Sequence, residues 1–293
     1  MNDRKTVFAP LMNFVSHREF HRCVTRYDGD RGLRYFSCWD PFLTMAFAPL
    51  TYRESLRDIE VCLRAHQSKL FHSGLHGPVK RSTLADANEG RDWRIYRDFA
   101  LGLIEIARPL YTAHEFDGPL AQVAYAYDST TIDLCMSLYP WAHFRSTKSA
   151  VKVHTLLDLN SSIPAFLAIT NANVHDVTML DALTPEPESF LILDRAYVDV
   201  QRLYRFDQAS ACFVVRAKQT LRFERRYSLP VDTSTGVRAD PIGVLTGEKT
   251  KEYYPKPIRR IAYYSEETKK RFVVLTNNVV VSAEDIAARY RRR

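Results

Sequence analysis

The 293-residue chain has no apolar run of about 18 residues, so no membrane-spanning helix is expected. Glycine (10 residues) and proline (14) are too few for a fibrous or low-complexity chain. The first 14 residues lack both a long apolar stretch and a small-residue cleavage site, so no signal peptide is expected. The five cysteines, Cys23, Cys38, Cys62, Cys135 and Cys212, are odd in number and include no C-x-x-C pair. That argues against a disulfide framework and against a zinc site, and reads as free thiols in a reducing cytoplasm. What the chain does have is 46% hydrophobic and 12% aromatic residues, enough for a packed core. Its length suggests about two domains. A net charge of +7 favours a polyanionic partner, because phosphate neutralisation dominates nucleic-acid affinity. The positive charge gathers at Arg216, Lys218, Arg222, Arg225 and Arg226, and again at Arg289, Arg291, Arg292 and Arg293. Such runs also occur as plain solvated faces.

Residues 1–36 are polar and read as irregular, with a turn at Asp28-Gly29-Asp30. Asp40 and Pro41 suit an N-cap and first helical position, and Pro49 is expected to end that helix. Thr51-x-x-Glu54 has the form of a capping box opening a second helix, whose stripe is Leu56, Ile59 and Leu63. Arg53, Arg57 and Arg64 lie elsewhere on it. The pair reads either as a DNA-reading helix-turn-helix or as an ordinary helical hairpin. A long helix is expected from about Asp92 to Ala107, stopped by Pro109, with residues 112–119 as a linker. The predicted domains are therefore 1–117, helical and DNA-binding, and 118–293.

Beyond the linker the hydrophobic period changes. Residues 121–127, 151–157, 163–169, 189–193 and 211–216 read as buried strands, with a helix capped by Asp176 through Leu183 and another near 199–208. This predicts an α/β domain with a mixed sheet. Residues 220–276 read as a β-rich insertion containing a hairpin, 258–264 with 271–276. Ser282 is expected to cap a last helix carrying Ile286, Ala287 and Tyr290.

Two carboxylates stand out because each closes an apolar strand: Asp128 after 121–127 and Asp194 after 189–193. A carboxylate at the end of a core strand needs a partner, and ligands collect at strand ends in open α/β sheets. Two converging carboxylates can hold Mg²⁺, a hard ion that takes oxygen ligands, although aspartate at a strand end can equally be a simple turn cap. His143, His154 and His175 are dispersed, which argues against a histidine metal site. Lys148 and Lys152, beside two of them, could touch phosphate. Asp133 reads as a surface or outer group, Tyr197 as packing near Asp194, and Glu284 and Asp285 as N-terminal helix charge.

Taken together, the stretches 36–65, 81–100, YDSTTIDL (127–134), NVHDVTMLDAL (173–183), LDRAY (193–197) and LTNN (275–278) resemble DDE transposases of bacterial insertion sequences, specifically the insertion-sequence-four family. The resemblance implies a ribonuclease-H-like core behind a helical DNA-binding domain. It implies Asp128 and Asp194 as the first two catalytic aspartates, both ligating Mg²⁺, with Mn²⁺ able to substitute. Tyr290-Arg291-Arg292-Arg293 matches the start of the family's Y-x-x-R-x-x-x-E motif, implying that Tyr290 and Arg293 contact DNA phosphates. The motif's glutamate would fall four positions past Arg293, so the resemblance implies a C-terminally truncated transposase with impaired catalysis. The implied partner is duplex DNA, both inverted repeats and target, bound by a monomer or a homodimer at the bacterial nucleoid, with no membrane. A DNA-binding remnant without activity and a different ribonuclease-H-fold nuclease are the alternatives.

Overall fold

The computed structural model describes residues 7–112, 123–134, 143–145 and 148–293, the side chains of 111, 112, 143–145 and 148 apart. Contacts divide the chain into two compact units, with the division after Ile106. Among the described residues no helix is long and apolar enough to cross a membrane.

The first unit is helical: α1 (Phe8–Met12), α2 (His17–Arg26), α3 (Trp39–Leu50), α4 (Leu56–Ala65), α5 (Gln67–Leu70), α6 (Arg81–Gly90) and α7 (Trp93–Thr112). Residues 1–36 are thus not wholly irregular. The signal for α2 is Ser16-x-x-Glu19, where the Ser16 hydroxyl accepts from the Glu19 N–H. Phe20, Cys23 and Val24 follow at helical spacing and are buried against Ile95 and Phe99 of α7.

The expected box at Thr51 is not the one in use. Ser55 caps α4 by accepting from the Asp58 N–H at 3.1 Å, while Thr51 ends α3 with its hydroxyl donating to the Phe47 carbonyl. Between them Tyr52 takes the left-handed conformation (φ 56°), which breaks the helical path and shifts the cap. Asp40 lies inside α3, accepting from the N–H and hydroxyl of Ser37. Ile59 and Leu63 are buried as their spacing required. Pro49 and Pro109 both sit within helices instead of ending them. Each falls in the last turn or so, where the one hydrogen bond it removes costs little cooperative structure.

Asp98 of α7 ties this unit together, accepting from the Tyr27 hydroxyl (2.6 Å), Arg26 (2.7 Å) and Arg97 (2.6 Å). Burial pushes its carboxyl up, but these three donors outweigh burial and leave it at about 2. A carboxyl depressed on folding contributes stability above its unfolded value near 4, and that contribution is lost as pH falls through about 2. Melting of the first unit between pH 4 and pH 2 is therefore expected to show a loss of roughly 1–2 kcal/mol that Asp98→Asn removes. Equal acid sensitivity in wild type and variant would contradict this.

The second unit is built on a mixed sheet: β1 (Ala124–Leu134), β2 (His143–Arg145), β3 (Lys148–Asp158), β4 (Pro164–Asn171), β5 (Phe190–Leu193), β6 (Cys212–Arg216), β7 (Phe223–Ser228), β8 (Val237–Ala239), β9 (Pro241–Leu245), β10 (Ile258–Ser265) and β11 (Lys270–Thr276). The path β4-β3-β1-β5-β6 has β3 antiparallel to its neighbours and β1, β5 and β6 parallel, the ribonuclease-H-like core that was expected. Alternate residues face opposite sides, and both sides are covered. Tyr125, Tyr127, Leu191, Leu193, Phe213 and Val215 pack with Leu203 and Phe206 of α8 (Val200–Gln208). Ala124, Phe190, Ile192 and Val214 pack with Ile286, Ala287 and Tyr290 of α10 (Ala283–Arg291).

The β-rich segment also holds the short helix α9 (Glu248–Tyr253). It is not a separate layer. β11 pairs antiparallel with β6, so the segment extends the same sheet through β10, β9 and β7. The expected hairpin is β10–β11, in register from Arg259↔Thr276 to Ser265↔Lys270. The buried pair Arg259–Asp240 closes this region. Arg259 donates to both oxygens of Asp240 (2.7 and 2.6 Å) and to the carbonyls of Asn278 and Val281, on the approach to α10. Ser282 then caps α10 as expected, accepting from the Asp285 N–H.

Candidate functional site

β1 and β5 run parallel in register up to Tyr127↔Leu193. Asp128 and Asp194 are the next residues on each, so they leave neighbouring strands at one level, about 5 Å apart along the hydrogen-bonding direction. By alternation both belong to the side of Ala126 and Ile192, which α10 covers. β1 does not end at Asp128. It continues to Leu134, paired with β3, so Asp128 closes only the buried, parallel part of the strand.

Helix α10 and the residue two past its end reach the two acids. The Tyr290 hydroxyl donates to Asp194 Oδ1 at 3.3 Å, and Arg293 donates to Asp128 Oδ2 at 3.0 Å. The backbone N–H of Ser129 donates to the other oxygen of Asp128 at 2.9 Å. Burial, then the charge of Asp194, pushes the Tyr290 hydroxyl up to about 12, so it stays a donor at any working pH. Asp128 itself is open, with 67% of its side chain exposed.

A third strand adds a residue that sequence reading passed over. β6 is parallel to β5 with Leu193↔Val215, so Arg216 stands level with Asp194 on the same side. Its guanidinium lies 4.9 Å from the ring centre of Phe272, and its charge acts to lower the Tyr290 pKa. The edge thus reads Asp128, Asp194, Arg216 across three adjacent strands. The basic run 216–226 held the signal, but only parallel pairing singles out its first member.

The other expected residues fall elsewhere. Lys152 belongs to the opposite side of the sheet with Ser129 and His154. Its ammonium is 3.1 Å from Asp176 and donates to the Val174 carbonyl. Asp176 does not cap its 3-10 turn; its carboxylate takes the Ser129 hydroxyl (2.9 Å). His154 is buried on that side, 2.9 Å from the Thr170 hydroxyl, and burial lowers its pKa. Tyr197 is core, edge-on to Tyr127 at 5.2 Å. Asp133 is exposed on β1. The side chains of Lys148 and His143, and all of Cys135, lie outside the described residues. Arg53 and Arg57 are exposed in the first unit, one in the turn after α3 and one on α4.

Among the described residues no group of three or more His, Cys, Asp or Glu is placed to hold a metal. The pair Asp128 and Asp194 is all-oxygen, adjacent and partly open, and one of the two already holds a cationic group. That donor set fits a hard divalent ion that keeps most of its waters.

Residues 120–293 match the family described as "Transposase DDE domain", and residues 3–76 match one described as "Domain of unknown function (DUF4372)". A relative named "Probable transposase for insertion sequence element IS5377", from Geobacillus stearothermophilus, is 29% identical over 202 residues, 67% of this chain and 51% of its own length. The y4zB protein of Sinorhizobium fredii (strain NBRC 101917 / NGR234), also carried under a transposase name, is 29% identical over 213 residues, 72% of this chain and 58% of its own length. The chain thus spans little more than half the length of these curated relatives.

Proposed function

The chain belongs to the transposase DDE domain family, and from that premise we propose that it acts as the DNA transposase of an insertion sequence. In this reading it binds the element's ends as duplex, cuts them and joins them to target DNA. The observation that carries it is the placement of Asp128 and Asp194 at one level on parallel neighbours, where Tyr290 of α10 and Arg293 just past its end reach them.

Asp128 and Asp194 would hold Mg²⁺ or Mn²⁺, which supplies an acidified attacking water and charge stabilisation at the leaving oxygen. The chain's own residues position the phosphate. Arg293 exchanges Asp128 for a phosphate oxygen, a charge-assisted contact suited to its fork. Tyr290 donates from a buried hydroxyl whose direction is set by the packing of α10. Arg216 supplies a second guanidinium on the same edge. Hydrolysis of one phosphodiester leaves a 3′ hydroxyl and a 5′ phosphate. That hydroxyl then displaces the 3′ oxygen of a target phosphodiester in line, so one bond forms as one breaks. Arg53 and Arg57 belong in this proposal as backbone contacts of the helical unit, and Lys148 as a further phosphate contact. Lys152 would join only by giving up Asp176.

The test is incubation of the purified protein with duplexes carrying the terminal repeats that flank its gene. Nicks bearing 3′ hydroxyl ends, formed with Mg²⁺ or Mn²⁺ and absent with EDTA, are expected. No preference for those ends over random duplex, together with no cleavage, would overturn the proposal. Cleavage of RNA–DNA hybrids in preference to duplex ends would point instead to another ribonuclease-H-fold nuclease. A second reading is end binding without cleavage. Specific binding without nicking would select it.

Arg216 gives a sharper check. If it contacts one phosphate, Arg216→Ala is expected to reduce the slope of log affinity against log salt by about 0.9 on duplex. An unchanged slope would remove it from the interface.

A further inference from the structure

The first unit contains a cleft of about 900 Å³, near the upper end of the ~300–1,000 Å³ usual for ligand sites. Its walls come from three places: the start of α2, the segment leading into α3, and the loop between α5 and α6. None of the residues already assigned to the transposase site lines it.

Its chemistry is specific in kind. One wall is aromatic: Tyr35, Phe36 and Trp39 line it, with His17 edge-on to Trp39 at 4.7 Å. Tyr35 is 94% exposed, a large ring held out with no packing role in the fold. The cationic or ionisable groups are Arg34, His17 and His76. Two carboxylates also line it, but both are engaged locally. Asp30 accepts from the Cys38 N–H at 2.7 Å, and Asp40 accepts from Ser37. Small residues keep the floor low: Gly74 has φ 86°, and a Cβ there would lie 3.7 Å from the Trp39 indole nitrogen, while a Cβ on Gly77 would meet nothing within 4 Å.

Aromatic faces beside Arg34, His17 and His76 fit a base on the rings and a backbone phosphate on the guanidinium. We propose that this cleft binds an unpaired stretch of DNA single strand, with a base stacked on Tyr35 and Trp39 and a phosphate at Arg34. That the strand is DNA rests on the transposase reading; that it is an unpaired nucleotide chain rests on the cleft.

The test is anisotropy titration of the full chain with labelled oligothymidylate, blunt duplex of random sequence, and thymidine monophosphate as competitor, in EDTA. Tyr35→Ala is chosen because its ring is exposed. It is expected to weaken oligothymidylate binding roughly 5- to 100-fold, the loss of one stacked base, and to leave duplex binding within twofold. Arg34→Gln should weaken the single strand and flatten its salt dependence. Equal losses on duplex and single strand, or no loss from Tyr35→Ala, would overturn the proposal. So would monophosphate competing as well per molecule as the oligomer. If end-specific duplex binding and cleavage are absent but Tyr35-dependent single-strand binding persists, the cleft stands and the transposase reading falls.

Discussion

Arg259→Met is expected to destabilise the second unit by about 3–5 kcal/mol, the usual cost of leaving one buried charge without its partner. Arg259 and Asp240 are each 2% exposed and share two short hydrogen bonds, so Asp240 would remain as a buried carboxylate without its cation. The double variant Arg259→Met/Asp240→Leu should recover much of that loss, because both charges then leave the interior together. It should not recover the order of 278–282. Arg259 also holds the carbonyls of Asn278 and Val281, and no apolar side chain can replace those bonds. Residue-resolved hydrogen exchange separates the two effects. β10 and β11 should exchange faster in the single variant and near normally in the double, while the approach to α10 stays fast in both. A single variant within 1 kcal/mol of wild type would show that the pair is dispensable.

Asp128→Ala is expected to reduce end cleavage more than the roughly 10–100-fold that losing an outer-sphere partner of a metal costs, because it would delete a direct ligand. Stability should barely move. Asp128 is largely exposed and its ion pair with Arg293 is of the solvated kind worth about 0–1 kcal/mol. Affinity for duplex ends in EDTA should hold or rise, since the change removes a negative charge and releases a guanidinium for phosphate. Asp194→Asn should act alike on cleavage while still accepting from Tyr290. The informative pattern is a large fall in rate with intact folding and binding. Cleavage within tenfold of wild type would remove Asp128 from the catalytic centre. A fall matched by unfolding would say nothing specific to chemistry and is excluded by the melting curve.

Much of the second unit was legible because its strands are buried on both sides and read as apolar runs. Residues 189–193 and 211–216 are such runs, and β5 and β6 occupy them within a residue. The cap at Ser282 was legible for a local reason: its hydroxyl meets an N–H three residues on. Misreadings came where two local signals competed. Thr51-x-x-Glu54 and Ser55-x-x-Asp58 overlap, and the path of the chain through Tyr52 decided for the second. Asp176 looked like a cap, but Ser129 and Lys152, 47 and 24 positions before it, claimed its carboxylate. No local pattern carries that information.

The two aspartates show the division most plainly. Their residue type, and their position after apolar strands, came from sequence alone, together with a last helix capped by Ser282 that carries Tyr290. Sequence also placed the mixed sheet and the hairpin. Tertiary structure decided that β1 and β5 are neighbours, parallel and in register, which sets Asp128 beside Asp194 and Arg216 beside both. It also decided that Lys152 faces away, and that the β-rich segment extends the sheet through β11. The reason is physical. Caps and periodicity arise between residues three or four apart, whereas strand pairing joins residues 66 positions apart (Tyr127 and Leu193) through backbone groups that every residue carries alike.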